Sequence, residues 1–290
     1  MTIGIIPNIS KTEILTIVKT IIGQIRRNGF NFILSESLHD SNDQFDTDAK
    51  YSSHDDLGKT CDMVVSIGGD GTMLNTAYEM RHSSTPIIGV NFGKLGFLAE
   101  FDLDGFTDFL QDIKTQNYVI EERMTLLAEC GAKELYAIND LVIDKGSWSK
   151  MIELTIKVDD DYVATFSADG LIIATPTGST GYSLSTGGPI VNPKADVITL
   201  SPIAPHTLTM RPLVISSQQK VTVIVNSPSE KIQVSCDGQR VDFFNSPSVV
   251  TIQKGQQPVR LVHSNRTNYF EILRNKLFWG LDVRKSNNSN

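Results

Sequence analysis

The sequence predicts an α/β N-terminal domain built on an open, mostly parallel sheet, then a β-rich C-terminal domain and a C-terminal helix. Three observations carry that prediction. Short apolar runs alternate with helical periods through the first 117 residues, the order that builds a parallel sheet. From about residue 118 the pattern changes to closely spaced strands separated by turn residues, which suits a β-rich domain. From Tyr269 to Trp279 a helical period returns. The expected boundaries are 1–117, 118–268 and 269–290, the last four residues forming a disordered tail.

Residues 3–6 are an apolar run ending in Pro7-Asn8, a first buried strand. Ser10 stands where an N-cap is expected, ahead of Ile14, Leu15, Ile17, Val18, Ile21, Ile22 and Ile25 in helical period, with Gly29 as the stop. Residues 30–34 read as a second strand. The stretch from Ser35 to Thr60 is polar and acidic, with Asp40, Asp43, Asp46, Asp48, Asp55 and Asp56, and reads as a mobile surface loop with one short helix. Residues 63–67 and 86–90 are the third and fourth strands, and residues 105–114 carry a helical face of Phe106, Phe109, Leu110 and Ile113. In open sheets of this kind ligands sit at the carboxyl ends of the strands. The glycine-rich turns at 68–71 and 93–96 both belong at that edge.

The first of these turns, Ile67-Gly68-Gly69-Asp70-Gly71-Thr72, follows a buried strand and leads into a helix. Glycines let another molecule approach the backbone, and a strand-to-helix turn points N–H groups outward, which suits phosphate. A carboxylate among such amides needs a chemical reason. Asp70 either accepts a proton from a hydroxyl or holds a metal ion that phosphate shares. The structural alternative is a tight turn in which Asp or Thr caps the helix.

In the second half, Ile152, Leu154, Ile156 and Val158 alternate with polar residues as a strand does, and 159–161 (three aspartates) is a hairpin turn before the strand at 162–166. Further strands are expected at 171–174, 213–215, 221–225, 231–235, 249–252 and 259–263. Residues 175–189, TPTGSTGYSLSTGGP, are crowded with hydroxyls and glycines and hold no charged residue. No lysine follows the glycines, so this is not a Walker loop. Its hydroxyls and amides suit a polar ligand, and Tyr182 offers a flat surface to a base; the alternative is a flexible linker. Asn139-Asp140 leads into the apolar Leu141-Val142-Ile143, while Asp169-Gly170 and Asp237-Gly238-Gln239 each flank a strand. Singly, an Asp-Gly pair is a turn. His206, beside Pro205 in an apolar run, reads as a structural histidine, and no Ser/His/Asp or Cys/His set emerges.

With 290 residues, 40% hydrophobic and 20% charged, the chain reads as a soluble globular protein of one large or two ordinary domains. A net charge of -7 with no Lys/Arg block argues against nucleic-acid binding, and requires any phosphate site to rely on amides, a few cations or a metal. Three scattered cysteines, Cys61, Cys130 and Cys236, suit a reducing cytoplasm rather than a disulfide framework. The first residues lack a charged n-region and no apolar run is long enough to span a bilayer, so a cytoplasmic location is expected.

Taken together, Gly68-Gly69-Asp70-Gly71-Thr72, Asn91-Phe92-Gly93 with Leu95-Gly96-Phe97, Asn139-Asp140, Asp169-Gly170, the 175–189 segment, Pro205-His206-Thr207-Leu208 and Asp237-Gly238-Gln239 occur in the order seen in bacterial NAD kinases. The resemblance runs from Ile3 to about Tyr269. The first motif also resembles diacylglycerol kinases and phosphofructokinases, whereas the serine-rich segment with its companions is specific. The resemblance implies transfer of the γ-phosphoryl of ATP to the 2′-hydroxyl of the adenosine ribose of NAD, giving NADP. It makes Asp70 the base and lays Gly71 against the same ribose, with Phe97 in the binding set. Asn139 and Asp140 would hold ribose hydroxyls or the adenine edge, Asp169 the nicotinamide amide, and Lys150 the dinucleotide phosphates or nicotinamide end. Thr180, Gly181, Tyr182, Ser183, Leu184 and Ser185 would line the pocket, and Ala204 and Gln239 would complete it. It further implies a divalent metal, usually magnesium, and a homodimer or homotetramer in which a neighbouring subunit completes a site lying between Asp70 and 175–189. No nucleic acid or membrane partner is expected.

Three positions depart from the pattern: Asp140 where glutamate is common, Gly181 where alanine is usual, and Ser167 in place of a basic residue. Two other functions compete. A lipid kinase would share the glycine-Asp-glycine turn but calls for an apolar entry that the sequence lacks. A dinucleotide sensor would bind without transferring, and has no need of Asp70.

Overall fold

The computed structural model describes residues 1–280 apart from 12, 40–44, 46–48, 94–95 and 267. The chain forms two compact units: residues 1–121 with 260–290, and residues 122–259.

The first unit begins β1 (Thr2–Pro7), α1 (Ile14–Arg27), β2 (Asn31–Ser35), β3 (Tyr51–Ser52) and α2 (His54–Thr60). It continues β4 (Met63–Ile67), α3 (Asp70–Glu79), β5 (Ile87–Val90), α4 (Leu103–Lys114) and β6 (Tyr118–Arg123), whose end crosses into the second unit. Strands β7 (Leu126–Cys130), β8 (Lys133–Ala137), β9 (Asp140–Asp144), β10 (Ile152–Val158), β11 (Asp161–Ala168) and β12 (Gly170–Ala174) follow, then the short α5 (Tyr182–Ser185). The second unit ends with β13 (Val197–Ile203), β14 (Leu213–Ser216), β15 (Val221–Asn226), β16 (Lys231–Cys236), β17 (Arg240–Asn245) and β18 (Ser248–Lys254). The chain then returns to the first unit through β19 (Val259–Ser264) and α6 (Tyr269–Leu277).

The first sheet has the order β3-β2-β1-β4-β5-β19-β6, and its pairs from β3 through β19 are parallel. Its core joins Ile3, Ile5, Val65 and Ile88 to the apolar stripes Val18, Ile21, Ile25 of α1 and Phe106, Phe109, Leu110 of α4. The second unit packs two antiparallel sheets, β11-β10-β15-β18-β7-β8 and β14-β13-β12-β9-β16-β17. Leu126, Leu154 and Val223 of one meet Leu141, Leu171 and Val234 of the other in a single core. Strand β12 is buried on both faces, because Ile172 and Ala174 point away from that core into a second cluster with Val142.

Several elements differ from the sequence expectation. The strand at 259–263, assigned by pattern to the β-rich domain, pairs with β5 in the parallel sheet, so the first unit is built from both ends of the chain. Ser10 does not cap α1: its Oγ donates to Asn8 Oδ1 at 2.7 Å, and the cap position is Glu13, with no side-chain bond. The acidic stretch from 35 to 60 contains β3 and α2, the latter capped by Ser53; Asp40, Asp43, Asp46 and Asp48 lie outside the described residues, as do Lys94, Leu95 and the tail 287–290. Strands β6, β7, β8, β13 and β17 carry charged residues, or a proline in β13, that break the alternation a strand shows in sequence.

Candidate functional site

In the first unit the site is built on the carboxyl edge of the sheet. Strand β4 ends at Ile67 and α3 starts at Asp70, one residue after the cap Gly69. The neighbouring β5 ends at Val90, and the chain after it doubles back, with Phe101 N–H donating to Gly89 O and Asn91 N–H to Phe101 O. This brings the second glycine-rich turn onto the first. The Asp70 carboxylate accepts from the backbone N–H of Phe97 on Oδ2 at 2.8 Å, and from Leu98 and Ala99 on Oδ1 at 3.0 and 3.1 Å. A carboxylate offers about four lone-pair sites. Three are filled by these amides, so the remaining one is on Oδ2. The approach depends on Gly96, because a Cβ there would stand 1.7 Å from Asp70 Oδ1. Phe97 is half-buried and Gly71 exposed beside this carboxylate.

The second unit gathers its predicted residues at the two ends of the β9–β12 pair. Register places Asp140 opposite Ala174 and Asp144 opposite Gly170. The two ends are therefore separated by four strand steps, on the order of 13 Å.

At the first end, Asn139, Asp140 and the 175–185 segment come together. Thr175 N–H donates to Asn139 O, and Thr175 Oγ donates to Ile138 O and accepts from Gly178 N–H. Gly178 sits directly on Asn139: a Cβ would lie 2.0 Å from the Asn139 carbonyl oxygen. Backbone meets backbone there, so Gly178→Ala should cost several kcal/mol, on the order of 1–3 or more, read as a lowered midpoint in thermal or urea unfolding. The segment is no linker. Ser179 ties Pro176 to Val191, and Ser183 bonds to Ser201 of β13. Thr180, Leu184 and Thr186 are half-buried, while Gly181, Tyr182 and Ser185 are exposed. Asn139 Oδ1 and Thr177 Oγ1 are buried without a hydrogen-bond partner among the described residues.

Asp140 is 5% exposed. Burial, with the nearby Asp237 adding to it, pushes its carboxyl up to about 7. Asp237 itself was read from sequence as a turn residue, and the structure gives it a larger part. Its Oδ1 accepts from the backbone N–H of Ile138, Asn139 and Asp140, and its Oδ2 pairs with Arg240 at 2.6 Å. Burial raises Asp237 as well, and those amides and Arg240 oppose the rise. Asp237→Ala leaves a half-buried guanidinium without its carboxylate and three amides without their acceptor, so it should destabilise by about 3–5 kcal/mol, measurable by urea unfolding. The sequence signal was available: an arginine three residues after an Asp-Gly turn that closes a strand.

At the other end, Asp169 N–H donates to Ile203 O beside Ala204, whose φ of 44° is in the left-handed region. Lys145 Nζ lies 2.7 Å from Asp169. Burial raises the nearby Asp144, opposed by Gly146 N–H and reinforced by Asp169. Lys150 is exposed and makes no ion pair among the described residues. Gln239 is exposed in the β16–β17 turn, its N–H on Cys236 O. Among the described residues no group of three His, Cys, Asp or Glu could hold a metal ion, and no helix is long and apolar enough to cross a membrane.

The parallel sheet with its glycine-flanked carboxylate, together with the two-sheet β unit, defines a class first: two solved structures that share this fold are kinases. An NAD kinase from Archaeoglobus fulgidus, in complex with ATP, has a TM-score of 0.76 at 28% identity over 96% of this chain and 99% of its own. A yeast NADH kinase complexed with NADH has a TM-score of 0.85 over 98% and 89%, at 22% identity, a likeness of fold. In sequence, the ATP-NAD kinase N-terminal domain matches residues 3–118 and the ATP-NAD kinase C-terminal domain residues 138–264. A protein named NAD kinase from Chlorobium phaeobacteroides (strain BS1) is 36% identical over 288 residues, 97% of this chain and 98% of the relative. Another so named, from Geotalea daltonii, is 42% identical over 234 residues, 79% and 82%. The chain belongs to the ATP-NAD kinase family.

Proposed function

We propose that this member of the family transfers the γ-phosphoryl of ATP to the 2′-hydroxyl of the adenosine ribose of NAD, giving NADP, with Asp70 as general base. The observation that carries the role of Asp70 is its carboxylate, fixed by three backbone N–H groups with one lone pair left on Oδ2. An alcohol is a weak nucleophile at neutral pH, so a positioned carboxylate acceptor is the minimum equipment. The amides orient that acceptor without neutralising it. Gly71 lies against the ribose, and Phe97 is positioned by the same amide contact.

NAD is held by the second unit. Asn139, Asp140 and residues 180–185 take the adenosine side, and Asp169 with Ala204 takes the nicotinamide side; Gln239 completes the set. Two clusters spaced along one strand pair suit a ligand with two nucleoside ends. Lys145 replaces Lys150 as the cation we assign to the nicotinamide end, because it is the one paired with Asp169.

The described residues offer no protein cage for a metal, so a divalent ion, magnesium by family, fits this chain as one carried by the phosphates of ATP. When bound it would neutralise phosphoryl oxygens; no residue is assigned to it. The reading includes a cytoplasmic location and a homodimer or homotetramer.

The test is the position of the new phosphate. Phosphorus NMR of the product from NAD and ATP should place it on the 2′ oxygen of the adenosine ribose, with formation abolished by a chelator. A 3′-phosphate, or no phosphate on the dinucleotide, would overturn the reading.

A further inference from the structure

Asp140 has a carboxyl with no hydrogen-bond partner among the described residues, although it is 95% buried. Asp237 is held by three amides and Arg240, and Arg240 also reaches Tyr136 O on β8. The neighbouring Cys236 thiol is pushed up to about 12, chiefly by burial, and stays neutral. Strand β12 and residues 175–181 bring no charged side chain, and Tyr182 is the one titratable residue of the 175–189 segment. Of the two carboxyls, Asp237 is paired with the guanidinium and Asp140 is not.

The side on which Asp140 opens is set by Gly181. That residue is exposed, and a Cβ there would stand 3.7 Å from Asp140 Oδ2 and 3.2 Å from Gly178 O. With glycine in place, the carboxyl faces the mouth of the cluster that also holds the unpartnered Asn139 Oδ1 and Thr177 Oγ1. Both side chains can donate as well as accept, through the Asn139 NH₂ and the Thr177 hydroxyl, so this mouth is polar without needing a charge. A charged Asp140 would add a second buried anion beside Asp237, close to a dinucleotide that is itself anionic.

We propose that Asp140 meets the bound dinucleotide as a neutral carboxylic acid and donates its proton to an acceptor oxygen or ring nitrogen of that molecule. This rests on the NAD kinase reading above. The proton stays on Asp140 and is shared in the hydrogen bond; no bond to it is broken. Once the free protein has lost that proton, binding must take one up from water. The sign follows: the donor is present below the carboxyl's own range near 7 and is lost as pH rises through it.

The experiment is calorimetry of NAD binding in two buffers of different ionisation enthalpy, with NADP formation assayed on the same samples. The wild-type protein should take up about one proton per NAD at about pH 8 and nearly none at about pH 6, with affinity falling about tenfold between them. Asp140→Asn keeps a donor that does not titrate, so its proton uptake and the pH dependence of its affinity should vanish. Asp140→Ser, another non-titrating donor, serves if the first variant does not fold. No uptake by the wild type, or uptake by the non-titrating variant equal to that of the wild type, overturns the inference. NADP formation without proton uptake leaves the kinase reading standing while this one falls; neither NAD binding nor NADP formation removes both.

Discussion

Asp70→Asn should bind NAD as the wild type does and lose nearly all turnover, by about 10²- to 10⁴-fold, the range a general base contributes. The substitution is nearly isosteric, and its effect is chemical in two ways. An amide cannot accept the hydroxyl proton. It also cannot satisfy the turn: Oδ1 could still accept from Leu98 and Ala99, but the new NH₂ would face the N–H of Phe97. Calorimetry with NAD and an NADP assay separate the two readouts. Unchanged turnover would remove Asp70 from the base role and leave it as the anchor of the 97–99 turn.

Gly96→Ala should be nearly as damaging, without touching a chemical group. The added Cβ would overlap Asp70 Oδ1, so the carboxylate must swing away or the turn must lift. Either movement breaks the three amide contacts and displaces the acceptor, and small displacements of a reacting group cost about 10²-fold in rate. Stability should fall by about 1–3 kcal/mol. Gly69→Ala is the control for stability, since a Cβ there meets nothing within 4 Å; its unfolding midpoint should stay close to that of the wild type. A Gly96→Ala variant with wild-type turnover would show that the carboxylate is not held where the structure has it.

Much of this arrangement was legible in the sequence, and the residues show why. The strands ending at Ile67 and Val90 are short, mostly apolar and buried at every residue, with glycines close behind, because both faces of a parallel strand are covered. The hydroxyl-rich 175–189 segment stood out because it is free of charge between apolar neighbours. Contacts between distant residues were not legible. Nothing near Asp70 announces that its partners lie at 97–99, or that Gly96 is bare for its sake. Asp237 looked like any Asp-Gly turn, since its three amide partners lie almost a hundred residues earlier. Lys150 came from the resemblance alone, whereas the salt bridge between Lys145 and Asp169 is a fact of packing. Strand β19 has the same alternation as its neighbours in sequence, and pattern alone does not reveal which sheet it joins.

The most direct test of the central claim is a product assay on the purified protein with NAD, ATP and magnesium, read by an NADP-specific dehydrogenase. The account predicts NADP that appears only when NAD and ATP are both present. NAD binding by calorimetry with no NADP would contradict it and leave a dinucleotide sensor, and the absence of both signals would point instead to a lipid substrate.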